Sequence, residues 1–279
     1  MHAKGSDARM NAGGERQSAD HLRLACAIAD IASRAGAVIL QIAAENRPSR
    51  RKADDSPVTD ADEAAESLIV EELQRLVPGA VVVAEEAASR RMPPRPTGPY
   101  FLVDPIDGTR EFLAGRDEFS VNIALIDGHA PALGVIYAPR LNALYVGTGG
   151  HAFRAMTVPG LTFDRNAASA IRVRPRGAGM VALVSRSHAD PASDNFLARL
   201  GIGEKIPAGS SLKFARLAEG AADIYARLVR VSEWDIAAGH SLVVAAGGRV
   251  TAPDGSEIRY GMQEDGFGVN GFVAWGAET

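Results

Sequence analysis

One cysteine, Cys26, occurs in 279 residues. That excludes an internal disulfide and any metal site built on a CxxC pair. The apolar neighbours Leu24, Ala27 and Ile28 make it a core-packing thiol in a reducing compartment. A cationic surplus is missing too: 30 Lys and Arg face 34 Asp and Glu, a formal net charge of −4 with a pI near 5.9. Coating a nucleic-acid polymer leans on excess Lys and Arg, so such a partner is argued against, whereas a small anion needs only a few local cations. No unbroken run approaches the ~20 apolar residues of a membrane span. The first residues carry charges and no apolar core, so no signal peptide is read. Among His2, His21, His129, His151, His188 and His240 no pair has zinc-ligand spacing.

What is present is ordinary for a soluble chain: 46% hydrophobic and 23% charged residues, enough for one large domain or two modest ones. Residues 1–20 are polar and Gly-rich and read as a disordered leader. Leu24, Ile28, Ile31, Ala35, Val38, Ile39 and Ile42 recur at helical spacing and predict a helix over 21–45. Thr59 followed by Asp60, Asp62 and Glu63 predicts a second helix start, stopped at Pro78-Gly79.

Strands are predicted at 80–84, 100–103, 119–127, 133–137, 142–146 and 152–154, with an irregular loop over Ser89–Pro99. A weak stretch near 157–170 divides an N-terminal α+β part (21–165) from a C-terminal α/β part (166–279). The latter carries predicted strands at 171–173, 180–185 and 223–228 and helices at 193–200, 212–219 and 232–246. Without strict βαβ alternation the class is α+β layers.

Carboxylates mark the chemistry. Asp104-Pro105-Ile106-Asp107-Gly108-Thr109 leaves a strand, and Pro105 stiffens the turn so that two acids stand close. Paired carboxylates repel unless one is protonated or a cation lies between them, and oxygen-only ligands suit a hard ion such as Mg²⁺. Free amides after Gly108 and Thr109 suit an anion. An aspartyl-phosphate mechanism of the Asp-x-Asp-Gly-Thr kind fails, because Pro105 occupies the nucleophile's position. Glu85-Glu86 follows a strand, Asp235 sits in a helix first turn capped by Ser232, and Asp54 precedes Ser56-Pro57. Taken singly, each also reads as an ordinary strand end, cap or loop acid.

Together these segments resemble the inositol monophosphatase-like superfamily of Mg²⁺-dependent, lithium-sensitive phosphatases, and within it the CysQ-type 3'(2'),5'-bisphosphate nucleotidases. The resemblance runs from about residue 21 to the end. It is carried by Asp54–Thr59, Glu85-Glu86, Asp104–Phe112, Ser185–His188, Gly209–Phe214 and Glu233-Trp234-Asp235 with Ala237-Ala238-Gly239. It implies a layered α-β-α-β-α sandwich of the inositol monophosphatase/fructose bisphosphatase type. Glu85, Asp104, Asp107, Asp235 and the Ile106 carbonyl would hold two or three Mg²⁺ ions. Asp54 and Thr109 would hold and deprotonate the attacking water. Gly108, Thr109, His188, Ser210, Lys213 and Arg227 would bind substrate.

The implied reaction removes the 3'-phosphate of adenosine 3',5'-bisphosphate, with 3'-phosphoadenylyl sulfate as a second substrate. Inositol-specific relatives carry an acid shortly before Trp-Asp, whereas this chain has Arg227-Leu228-Val229-Arg230 there. Inositol phosphate or fructose bisphosphate hydrolysis is the alternative, and a silent phosphometabolite-binding regulator is the alternative of another class. The Asp54–Thr109 pair speaks against silence. Val269-Asn270-Gly271-Phe272 lacks a Pro that relatives often place between Asn and Gly, and the arginines of the Ser89–Pro99 loop have no counterpart in the motif set. The expected partner is a small phosphorylated molecule and the expected location the cytoplasm. A homodimer and peripheral association with the inner membrane surface are left open.

Overall fold

The structure is a computed structural model that describes residues 4–45, 50–51, 57–175, 177, 179–187, 190–261 and 266–277. In chain order, α1 (Lys4–Ala44) leads through a short hairpin, β1 (Arg50–Arg51) and β2 (Pro57–Val58), to α2 (Asp60–Leu76). Next come β3 (Val81–Ala84), α3 (Glu85–Arg90), β4 (Tyr100–Asp107), α4 (Thr109–Leu113), β5 (Ser120–Asp127) and β6 (Ala130–Ala138). Strands β7 (Ala143–Thr148), β8 (His151–Met156) and β9 (Ser169–Ala170) complete a seven-stranded sheet in the order β3-β4-β5-β6-β7-β8-β9. The second part contributes β10 (Val181–Ser185), α5 (Pro191–Arg199), β11 (Glu204–Ala208), α6 (Leu212–Ala218), β12 (Ile224–Arg227) and β13 (Val231–Ser232). It closes with α7 (Glu233–Ala245), β14 (Arg249–Thr251), β15 (Gly268–Val269) and β16 (Phe272–Trp275). Its five-stranded sheet has the order β11-β10-β12-β16-β14, and β13 pairs separately with β15.

Alternation along the strands builds the layers, because successive side chains leave opposite faces. In β4, Phe101 and Val103 enter a core with Ile28 and Ile39 of α1 and Ile69 and Leu73 of α2. Tyr100 and Leu102 enter a second core with Phe214 of α6 and Leu242 of α7, shared with Leu183, Tyr225 and Phe272 of the smaller sheet. The other face of that sheet, Ala182, Ile224, Ala226 and Val273, meets Leu197 of α5. The layers therefore run α1/α2, seven-stranded sheet, α6/α7, five-stranded sheet, α5, which is the expected α-β-α-β-α sandwich. Helix α7 lies between both sheets and approaches the larger one where Gly134 and Gly147 have no side chain; a Cβ on either would fall on the backbone of Ala238 or Leu242.

Several boundaries differ from those the sequence predicts. Helix α1 starts at Lys4, so residues 4–20 continue the helix instead of forming a disordered leader. That segment has no Pro to break the helix, and extending a helix already nucleated downstream needs only propagation, which its Gly residues weaken but do not stop. Its stretch Gln17–Ala44 is long and apolar enough to cross a membrane by length and composition. Counting unbroken apolar residues misses this, because Arg23, Asp30 and Arg34 interrupt the run. Half of the stretch is buried in the fold, with Ala25, Ile28, Ala32, Ala35 and Ile39 against the large sheet, so it serves here as a core helix.

The change of sheet falls between Ala170 and Val181, after the predicted 165/166 boundary, because β9 still pairs with β8. Residues Ile171–Val173 form no strand; Val173 N–H instead donates to Ala246 O at 3.1 Å. Strand β11 is unpredicted, since its sequence Glu-Lys-Ile-Pro-Ala is polar and holds a Pro. A sheet edge tolerates that residue.

Candidate metal and phosphate site

Strands β3 and β4 are parallel neighbours with Ala84 opposite Val103, so the next residues, Glu85 and Asp104, stand side by side where β3 ends. Helix α3 starts at Glu85 without a capping side chain of its own. Glu66 of α2 supplies the cap: its carboxylate accepts from Glu86 N–H at 2.7 Å and Ala87 N–H at 2.8 Å. Strand β4 does not stop at Asp104, as predicted, but bulges and continues. Asp104 pairs with Asn122 and Asp107 with Ser120, and the register shift between them takes up Pro105-Ile106. Asp104 accepts from Ile106 N–H at 3.0 Å, which fixes the bulge.

Asp235 arrives from the other side of the sequence. It is the third residue of α7 and accepts from Ser232 N–H at 2.9 Å, a capping-box contact. Carboxylate oxygens of Glu85, Asp104 and Asp235 all lie within 4.8 Å of one another. Asp107 accepts from the Ser211 N–H and, at 3.5 Å, from Asn122 Nδ2. These acids line the floor of a cavity of about 550 Å³ between the two parts of the chain.

The electrostatics of this floor suit a bound cation. Asp104 is 1% exposed, and burial together with the Glu85, Asp107 and Asp235 carboxylates pushes its pKa well above the ordinary carboxylate range. Burial pushes Asp107 up to about 6, against the pull of Lys213 and the Ser211 amide. A buried group of acids with only oxygen donors relieves this strain by binding a hard divalent cation, so the residues present fit Mg²⁺. The Ile106 carbonyl accepts the Thr109 hydroxyl at 3.1 Å and retains a second lone pair.

The expected substrate residues fall into three groups. Gly108, Thr109, Ser210, Lys213 and Arg227 line the cavity. Gly108 has φ +90, a left-handed conformation that suits glycine and opens α4. Lys213, which the resemblance implies binds substrate, is 4% exposed, and its Nζ donates to the carbonyls of Ser210 at 2.6 Å and Ala208 at 3.3 Å. Burial lowers its pKa to about 8, against the attraction of Asp107. Asp54 and His188 lie outside the described residues. Beside the latter, Ser187 donates to Glu111, and Arg186 Nε donates to Glu118 at 2.8 Å.

The structure adds Ser120 and Asn122, which lie outside the motifs, and gives roles to Ser211, Arg110, Arg230 and Glu233, which the sequence segments contained without one. Ser211 Oγ donates to Asn122 Oδ1 at 2.7 Å and lies 2.8 Å from Ser120 Oγ, tying the Ser210 turn to β5. Ser120 and Asn122 are polar residues two apart in an apolar strand, a signal available in the sequence. Arg110 and Arg230 also line the cavity, and among the described residues neither has a carboxylate within ion-pair distance. Glu233 is fully buried behind the floor. Its carboxylate accepts from Gly261 N–H at 2.9 Å and from Tyr100 OH at 3.3 Å, while its own N–H donates to Phe267 O at 2.7 Å.

Comparison with known proteins follows the same lines. The sequence profile described as the inositol monophosphatase family matches residues 21–275. The 3'(2'),5'-bisphosphate nucleotidase CysQ of Salmonella typhimurium (strain LT2) is 39% identical over 239 residues, covering 85% of this chain and 94% of that protein. Histidinol-phosphatase of Mycobacterium tuberculosis is 34% identical over 244 residues, 85% of this chain and 89% of that one. Among solved structures, CysQ from Bacteroides thetaiotaomicron superposes with a TM-score of 0.76 at 32% identity, covering 92% of this chain and 98% of that chain.

Proposed function

This chain belongs to the inositol monophosphatase family, and from that membership we propose that it is a Mg²⁺-dependent phosphatase removing the 3'-phosphate of adenosine 3',5'-bisphosphate. 3'-Phosphoadenylyl sulfate is a second substrate on the same chemistry. The observation that carries the reading is the convergence of Glu85, Asp104 and Asp235, from three distant segments, to within 4.8 Å on the floor of a cavity with arginines at its mouth.

Glu85, Asp104, Asp107, Asp235 and the Ile106 carbonyl would hold two or three Mg²⁺ ions. When bound, such ions acidify a water and offset the charge on the phosphoryl oxygens. The rest is the chain's own work. Thr109 donates its hydroxyl proton to Ile106 O, so its oxygen lone pairs face outward to accept from the attacking water. Asp54 is the final acceptor of the proton, since a threonine hydroxyl is too weak a base. The water oxygen forms a bond to phosphorus as the ester bond breaks, and the nucleoside oxygen leaves with that bond's electron pair and takes a proton from solvent. Lys213 holds the Ser210 turn by its carbonyls and adds positive charge behind Asp107, while Arg227 faces the ligand from the end of β12.

The histidinol-phosphatase relative suggests a competing substrate, a single phosphate on an amino alcohol. Arg110 and Arg230, without carboxylate partners among the described residues, oppose a cationic ligand and favour a second anion. The test is phosphate release from adenosine 3',5'-bisphosphate, inositol 1-phosphate, fructose 1,6-bisphosphate and histidinol phosphate, with and without Mg²⁺. The bisphosphate nucleotide is expected to have the highest kcat/KM, and only with the ion. A higher value for any of the others would refute the substrate, and equal turnover with chelator would refute the metal role.

A further inference from the structure

Strands β13 and β15 set Ser232 opposite Gly268 and Val231 opposite Val269 at the cavity wall. Arg230, just before this pair, folds its side chain back across it. Nη1 donates to Asn270 Oδ1 at 3.3 Å, and Nη2, Cζ and Nε occupy the space where a Cβ on residue 268 would stand. Gly268 does not have a positive φ, so its backbone conformation does not call for glycine. The missing side chain is accounted for by the guanidinium that takes its place. Both residues line the cavity, and among the described residues Arg230 has a neutral amide as its hydrogen-bond partner and no carboxylate within ion-pair distance.

We propose that Arg230, seated on Gly268, is a specificity-determining residue that binds the second phosphate of the substrate, a claim that rests on the phosphatase reading of the same cavity. The floor takes the reacting phosphate among acids and cation. A second phosphate on the same molecule is turned away from that floor and needs a fixed cationic fork at the mouth. A guanidinium held against a glycine backbone and steadied by Asn270 has lost much of its rotamer freedom before the ligand arrives, so less ordering accompanies binding. Arg227, at the end of β12, is half-buried, whereas Arg230 is exposed.

The experiment compares kcat/KM for adenosine 3',5'-bisphosphate with that for adenosine 3'-monophosphate, which share the reacting bond and differ only in the second phosphate. In Arg230→Ala the ratio falls on the order of tenfold, the size of one lost charge-assisted contact. Gly268→Ala leaves the arginine in place in the sequence but displaces its guanidinium, and lowers the ratio in the same direction. Circular dichroism and melting temperature confirm that both variants fold. An unchanged ratio in Arg230→Ala, or a wild-type ratio near one, overturns the proposal; a fall in that variant with none in Gly268→Ala overturns the seating. If the wild type hydrolyses neither nucleotide, the proposed substrate fails separately. The same ratio is then taken on inositol 1,4-bisphosphate over inositol 1-phosphate and judged by the same outcomes.

Discussion

Helices α2 and α7 begin alike and end up doing different things. In α2, Thr59 caps the helix and Asp62 accepts from Thr59 N–H at 2.8 Å and from its hydroxyl at 2.6 Å. In α7, Ser232 and Asp235 stand in the same positions of the same capping box. α2 belongs to an outer layer and buries one stripe, chiefly Ala61, Ala65, Ile69 and Leu73. α7 lies between two sheets and buries most of its residues. The cap is thus a local device, worth about the same at either helix. Asp62 bears on Asp104 through its charge, but only Asp235 brings an oxygen within 4.8 Å of both Glu85 and Asp104, and that second role comes from the layer its helix occupies.

The largest effect expected from this difference is on activity. Asp235→Asn keeps a polar cap but removes a carboxylate from the floor, and should lower Mg²⁺-dependent phosphate release by at least ~100-fold. Assay at saturating Mg²⁺ checks it, and near-normal turnover would erase the distinction between the two helices. Next comes pH. Burial holds His240, in the middle of α7, down to about 4 from an ordinary 6.5, with its Nδ1 3.0 Å from Tyr260 OH. A depressed histidine contributes stability that is complete above 6.5 and is lost as pH falls through about 4. The full loss is roughly 3 kcal/mol. Melting curves from pH 7 to 4 should slope less steeply in His240→Gln than in the wild type; parallel slopes would remove this group from the acid response.

Packing gives a smaller effect. Gly147→Ala forces a methyl group onto the backbone of Leu242 and should cost roughly 1–3 kcal/mol, seen as a lower urea midpoint. A neutral result would mean that α7 is less closely seated than its counterpart contacts indicate. The smallest change is Asp62→Ala, which removes a cap and a charge that bears on Asp104 without sharing its cluster, about 1 kcal/mol, or a few degrees of melting temperature. Should it abolish phosphate release as Asp235→Asn does, the comparison between the two helices would fail.

Much of this was legible in residue order. The predicted strand at 119–127 is β5, the predicted helices at 212–219 and 232–246 are α6 and α7 to within a residue or two, and the layered class is as expected. These features depend on period and capping, which a few neighbouring residues express. The misses have the opposite origin. Strand β11 exists because β10 offers it a parallel edge, and α3 because Glu66, about twenty positions upstream, satisfies its first amides. Neither cause is visible in the segment itself. Lys213 differs for a related reason: its charge is plain in the sequence, but the carbonyls of Ala208 and Ser210 claim its ammonium group.

By itself the sequence determined the kinds of chemistry available: acids after strands and in a helix first turn, a proline-stiffened Asp-Pro-Ile-Asp segment, two capped helices, and one thiol too few for a disulfide. Each is a short-range property, set by dihedral preference, side-chain periodicity or composition. Tertiary structure alone decided that Glu85, Asp104 and Asp235 share one floor and that Arg230 lies over Gly268. The reason is that these relations depend on parallel register and on which layer covers which face, and both are settled by cores assembled from residues far apart in the chain.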